Sequence, residues 1–401
     1  MIQKLQPLAL GLALAASASA QDSWVIRADA IHTAAGDTID GGSVVIDGSQ
    51  IAAVGPGSAR GDEVLECAAI TPGLVDLSVR IRSGHFSVEQ STESPVTIDV
   101  LDAVDLWSYE FQREAEGGVT SVMLTPADYA VMGGLCGVIK TAGSHDIEER
   151  LVKRGAVLRG SLGTQPSAGN QPPRGGPPRN FYYRRPTTRM GVEWVFRKSF
   201  YDAKTDVNGS DPAQADQNEL LRGVMAGDLP LSVQAWTTQD IRTAVYLKEE
   251  FGIPNMFVDA AAEAWKEPEL LQRSGMGVVL PPWDSNGRTF EQSFYALNTA
   301  ADLHGRGVRV ALSGHGHHES AYKLARQPGY AMRGGLPFQA ALEAVTIVPA
   351  RMAGVEDRVG SIEVGKDADL VLWSGPPFEP TSGVIGVVLD GELVVDPRKT
   401  Q

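Results

Sequence analysis

The histidines of this 401-residue chain cluster once, at His315-Gly-His317-His318. Residues two apart share a face of a strand, so His315 and His317 would present two imidazoles side by side if a strand runs that far. Such a pair can hold zinc or another divalent metal when one or two further ligands join it. Asp259, His85 and Glu319 are the candidates. A metal-free alternative uses His315 as a general base near neutral pH, with Arg80 as a carboxylate clamp or oxyanion donor. Two plainer readings stand beside these: Gly314 and Gly316 favour a solvated loop around the histidines, and Arg80 can ion-pair with an acid such as Asp259. Lys140, ending the strand-like Gly137-Val-Ile-Lys140, is a further polar candidate whose plainest role is pairing with an acid. Gly133-Gly-Leu-Cys-Gly137 lacks the Lys and Ser or Thr that a phosphate loop requires, and no Gly-x-Ser-x-Gly nucleophile elbow occurs.

The elements that position these residues follow from the apolar pattern. Short alternating runs between Trp24 and Val54, broken by Asp-Gly and Gly-Gly, read as β-hairpins. A similar pattern returns at Asp369–Trp373 and Val384–Val395 around the turn Asp390-Gly391. Because edge strands need partners, the two ends are expected to pair. Between them strands alternate with helices: strands at Gly73–Ile81, Val119–Thr125, Ala156–Leu162, Leu231–Trp236, Met256–Ala260, Gly277–Pro281 and Val308–Ser313, and helices at Ala103–Gly117, Gln239–Phe251, Glu291–His304 and Pro337–Val348. This predicts an α/β fold, a (β/α)8 TIM-like barrel with a small β-sandwich formed from both chain ends. The expected boundaries are 21–71 plus 355–401 for the sandwich and 72–354 for the barrel. Seven strands are clear, and the fourth in order is left unassigned. Residues 163–189, dense in Pro, Gly and Arg, read as a flexible loop over the barrel mouth.

Pro349-Ala-Arg-Met-Ala-Gly-Val-Glu-Asp-Arg-Val-Gly-Ser-Ile-Glu-Val-Gly-Lys-Asp-Ala-Asp-Leu-Val-Leu-Trp-Ser-Gly375, together with Thr71-Pro-Gly-Leu-Val-Asp76 and Glu116-Gly-Gly-Val-Thr-Ser-Val-Met123, resembles the amidohydrolase superfamily, in particular its imidazolonepropionase-like and cyclic amidohydrolase-like members. The resemblance covers almost all of the chain after residue 20. It implies metal-dependent hydrolysis of non-peptide C–N bonds, with a metal-activated water attacking an amide or amidine carbon. It also implies a His-x-His pair on the first barrel strand, where this chain has Ser78 and Arg80. At the fifth strand the expected histidine falls on Gln234 or Trp236; at the sixth it falls on Ala260, with Asp259 one step away on the opposite face. At the eighth strand the family's catalytic aspartate falls on His315. A lysine such as Lys140 can serve relatives as a carbamylated metal bridge, but here the histidines that would complete such a site are missing. An arginine is a donor only and repels a cation. The resemblance therefore implies a degenerate member with no metal cofactor, acting as a binding or assembly subunit beside an active relative or through self-association. The alternatives are an active C–N hydrolase rebuilt around His315 and His317, and a carboxylate-binding module using Arg80.

Composition bounds the setting. Lys4, an apolar run from Leu8 to Ala16 and Ala18-Ser-Ala20 match a secretory signal, so a mature chain exported to the periplasm or medium is expected from Gln21. The formal charge of −14 argues against nucleic acid as a partner. No apolar run is long enough for a transmembrane segment. Cys67 and Cys136 make no disulfide framework and read as buried thiols.

Overall fold

The computed structural model describes residues 24–61, 63–80, 89, 92–167, 185–206, 212–285, 291, 294–315 and 323–398. The expected leader at 1–20, His85, His317, His318, Glu319 and residues 168–184 of the Pro/Gly/Arg-rich segment lie outside them. No helix among the described residues is long and apolar enough to cross a membrane.

The amino-terminal strands β1 (Trp24–Ile31), β2 (Ile39–Asp47), β3 (Gln50–Pro56) and β4 (Glu63–Pro72) form half of a seven-stranded sheet. Eight strands then make the barrel: β5 (Leu74–Val79), β6 (Val119–Leu124), β7 (Met132–Lys140), β8 (Leu151–Ser161), β9 (Leu231–Gln234), β10 (Met256–Asp259), β11 (Gly277–Leu280) and β12 (Val310–Leu312). The chain returns to the first sheet with β13 (Leu370–Trp373), β14 (Val384–Leu389) and β15 (Glu392–Val395). The two ends meet where β4 pairs parallel with β1 and antiparallel with β13, Leu370 opposite Pro72. Ile26, Val44, Ile70, Leu370 and Leu372 fill the core of that sheet. The turn between β14 and β15 falls at Asp390-Gly391, both at positive φ (48° and 79°), as a two-residue hairpin demands.

The barrel strands β9 to β12 are buried along their whole length. Strands covered on both faces read as continuous apolar runs rather than alternating ones, which is why they were legible. The eighth strand is third in the sheet, not fourth, and it runs the other way: β7 is antiparallel to both β6 and β8. Its glycines hide it. A Cβ at Gly134, which sits at φ 107°, would stand 2.3 Å from the Ile98 carbonyl oxygen, and one at Gly137 would stand 2.4 Å from Leu101 Cδ1. The segment before the first helix therefore lies directly against β7, held by Leu135 N–H to Ile98 O at 2.7 Å. The glycine-rich stretch is a close-packing device.

Several helix boundaries differ from the expected ones. The first α-helix is Tyr109–Glu116, started by Ser108 accepting from Glu110 N–H. The expected 291–304 helix begins only at Thr299, and the expected 337–348 helix divides into Phe338–Glu343 and Ile347–Ala353. Helices Arg189–Thr205 and Pro212–Ala226 were not foreseen. Arg189, the last residue of the expected loop, opens the first of these behind a Thr188 cap.

Lys140 finds an acid, and more than one. At the end of β7 and 1% exposed, its Nζ lies 2.9, 2.8 and 2.9 Å from Asp367, Asp369 and Asp390. One buried ammonium thus ties the barrel to the terminal sheet. Cys136 is buried and Cys67 half-buried, and burial pushes both thiols up to about 12. Gly134→Ala is expected to destabilise the chain by about 2 kcal/mol or more, because the new Cβ meets backbone at a positive φ. A thermal midpoint equal to that of the parent would show that the 98–103 segment does not rest on β7.

Candidate functional site

Alternation along β8 places Val157, Arg159 and Ser161 on one face, and along β10 it places Phe257 and Asp259 on one face. Arg159 is fully buried. Its Nη1 lies 2.7 Å from Asp259 Oδ2 and donates to Ser232 Oγ at 2.9 Å, while Nε donates to Asp128 Oδ1 at 2.9 Å. Asp128, in the β6–β7 connection, also accepts from Ser161 Oγ at 2.7 Å and from Arg80. Ser78 Oγ donates to Asp259 Oδ2 at 2.8 Å. His315 Nε2 stands 3.4 Å from Asp259 Oδ1 without the geometry of a hydrogen bond. Its ring meets Trp236 edge-on, with centroids 5.5 Å apart.

Two guanidinium groups thus balance two carboxylates. Burial alone would raise both aspartates, but Arg159 beside Asp259, and Arg159 with Arg80 beside Asp128, hold the two carboxyls below the usual carboxylate range. Asp76 behaves in the opposite sense. Burial raises its pKa although Ser313 Oγ (2.5 Å), Gly314 N–H (2.7 Å) and Ser78 N–H (3.1 Å) all donate to it.

The structure corrects several expectations. Asp259 does not face away: it is the inward residue of β10, and Ala260 is buried at φ 58° against Trp236. Arg80 pairs with Asp128 rather than with Asp259, and its guanidinium is engaged rather than open. Ser313, not His315, meets the first strand's aspartate, and His315 sits at φ 53°, past the end of β12. With its amide oriented to satisfy both ends, Gln234 donates to Leu162 O (3.0 Å) and accepts from Trp236 Nε1 (2.5 Å), which makes it a structural strut. His315 and Asp259 therefore come together, Arg80 joins them only through Asp128 and Arg159, and His317 lies outside the described residues. Arg159 and Asp128 were missed. The signal existed: Arg159 is a lone charge in the apolar strand Ala156-Val-Leu-Arg-Gly-Ser161, and charges are almost never fully buried without a partner.

A divalent cation does not fit this donor set. The carboxylates nearest the mouth are neutralised by guanidinium groups, and a metal beside Asp259 would stand against Arg159. Among the described residues no group of three or more His, Cys, Asp or Glu side chains could hold a metal ion.

Residues 297–394 match the model of the amidohydrolase family. The amidohydrolase tasK of Hapsidospora irregularis is 26% identical over 311 residues, 72% of this chain but 31% of that protein. The imidazolonepropionase of Symbiobacterium thermophilum is 44% identical over 73 residues, 17% of each chain. The chain thus spans less than a third of the length of either curated relative. Among solved structures, an amidohydrolase from Thermotoga maritima superposes with a TM-score of 0.81 at 27% identity, over 92% of this chain and 99% of that one.

Replacing Arg159 with Met should destabilise the fold by about 3–5 kcal/mol at pH 7, since it strands the buried carboxylate of Asp259 and leaves Asp128 with Arg80 alone. The pH dependence follows from the depressed carboxyls. Their stabilisation is present above the unfolded value of about 3.9 and is lost as pH falls through the folded values. In the variant the stranded carboxyls shift upward and protonate more readily, so the deficit relative to the parent should shrink as pH falls from 7 towards about 4. Denaturant unfolding across that range checks this; a constant difference would mean that Arg159 is not the counter-ion of these acids.

Proposed function

We propose that this chain, which matches the amidohydrolase family over residues 297–394 and superposes on an amidohydrolase of known structure, is a degenerate member of that superfamily. In this reading an internal guanidinium network has taken the place of metal-dependent C–N hydrolysis, and the protein serves as a binding or assembly subunit after export. The observation that carries the reading is Arg159, 0% exposed, with one guanidinium bonded to Asp128 and Asp259 at once. A cation activates water by its own positive charge. A guanidinium in contact with the same carboxylates supplies the charge balance but has no open coordination position and cannot yield hydroxide. Ser78, Gln234 and Ala260 complete the replacement: a hydroxyl spent on Asp259, an amide spent on Leu162 and Trp236, and a methyl group. The leader at residues 1–20 supports export, and the expected partner is an active amidohydrolase relative or a second copy of this chain.

A second reading is favoured by one observation. His315 is 6% exposed and its Nε2 has no hydrogen-bond partner among the described residues, which leaves an imidazole beside Asp259 available as a general base for C–N hydrolysis without metal, or as part of a rebuilt site with His317. In that case His315→Ala abolishes an activity found by screening cyclic amides, amidines and dipeptides.

Elemental analysis of the purified full chain separates the readings. The degenerate reading expects far less than one equivalent of zinc, manganese or iron, and no amidase activity before or after metal loading. Near-stoichiometric metal, lost to a chelator together with a hydrolase activity, would sink it.

A further inference from the structure

Away from the barrel mouth, the molecule holds a second buried guanidinium, and this one has no counter-ion. Arg150 ends the short helix Ile147–Arg150 and is 3% exposed. Its Nε donates to Lys140 O at 3.0 Å and Nη1 reaches Leu106 O at 3.5 Å, whereas Nη2 has no hydrogen-bond partner among the described residues. No acid among the described residues forms an ion pair with it, and burial alone pulls it down to about 10. The ring of Phe111, with its centroid 4.6 Å from Cζ, gives the cation a face to rest on, which replaces only part of a lost hydration shell. Arg80 and Arg159 are each matched by carboxylates, so an unmatched Arg150 stands out against this molecule's own practice.

Arg150 lines a cleft of about 450 Å³ between the helix Tyr109–Glu116, the turn after β7 and the end of β15. Trp107 and Tyr109 stand at its rim, 77% and 60% exposed, and the Trp107 indole is stacked on His145 with centroids 3.6 Å apart and planes 17° from parallel. The indole is thereby held as a flat platform. The one acid in the cleft, Glu116, accepts from Gln112 at 3.0 Å. The position is far from the ion network. Because β7 runs backwards, its last residue Lys140 lies beside Ser121 near the start of β6, at the end of the barrel opposite Arg159 and Asp259.

We propose that this cleft binds a small aromatic carboxylate, its ring laid against the Trp107–His145 stack and its carboxylate paired with Arg150. The carboxylate supplies the missing counter-ion and meets the unpartnered Nη2, since Nε and Nη1 already donate to carbonyl oxygens. Aromatic platforms with one polar anchor are the usual composition of a small-ligand site.

The test is a thermal-shift and tryptophan-fluorescence titration of the full chain with 4-hydroxyphenylacetate, using its neutral amide as control. The acid should raise the unfolding midpoint and change the fluorescence, and the amide should do neither. Arg150→Met should keep or raise the ligand-free midpoint, since an unmatched buried charge gives way to an apolar chain of similar length, yet lose the shift. Trp107→Ala, at an exposed position that tests the site without disturbing the core, should weaken binding by about tenfold. Equal responses to acid and amide, an undiminished response in Arg150→Met, or no response of the parent to the acid would overturn the proposal.

Discussion

A positive charge with no access to water sits inside the barrel near its mouth, and the surrounding residues are arranged to accommodate it. Arg159 on β8 bonds to Asp128 and Asp259 and donates to Ser232. Those contacts draw on four separate parts of the barrel: β8, β9, β10 and the hairpin between β6 and β7. Taking a guanidinium and two carboxylates out of water is costly, and it is tolerated only where geometry and hydrogen bonds are complete. The hydroxyls of Ser78, Ser161 and Ser232 supply much of that completion. The residues that look unremarkable in a one-dimensional reading are therefore the ones that let the charges stay.

The reversed strand is part of the same arrangement. In a barrel built only from β-α-β units each strand-to-helix loop opens at one end. Here β6 passes directly into β7, and the turn between them delivers Asp128 to the mouth. At the other end, β7 leaves Lys140 against Asp367, Asp369 and Asp390 of the terminal sheet. A single strand thus places one charge cluster at each end of the barrel.

Much of the fold was readable because its strands are apolar on both faces and its turns carry Asp-Gly. The seven runs from Gly73 to Ser313 fall on seven of the eight barrel strands, six of them whole and β8 in its second half. Met132–Lys140 escaped because glycines demanded by backbone contact with Ile98 and by the Leu101 side chain erase the alternation on which strand reading depends. At the site, the departures Ser78, Arg80, Gln234 and Ala260 were visible as departures. What filled the space was not, since Arg159 and Asp128 are 31 residues apart and carry no motif. Pairing between distant charges is a property of the closed barrel; a one-step error of face at Asp259 was enough to aim it away from its partners.

The coupling in this network also bears on how such a chain changes over generations. Asp128 and Asp259 are tolerable inside the barrel because the guanidinium is there, and the guanidinium is tolerable because of them; neighbours that share partners are not additive. A lineage that exchanged Arg159 for a metal-binding residue by one substitution would pass through a protein with stranded acids, and one that removed an acid first would pass through a stranded cation. Either path crosses a stability deficit comparable to a sizeable fraction of what holds a domain folded. The arrangement therefore behaves as an interlocked set, in which no member changes without cost to the others.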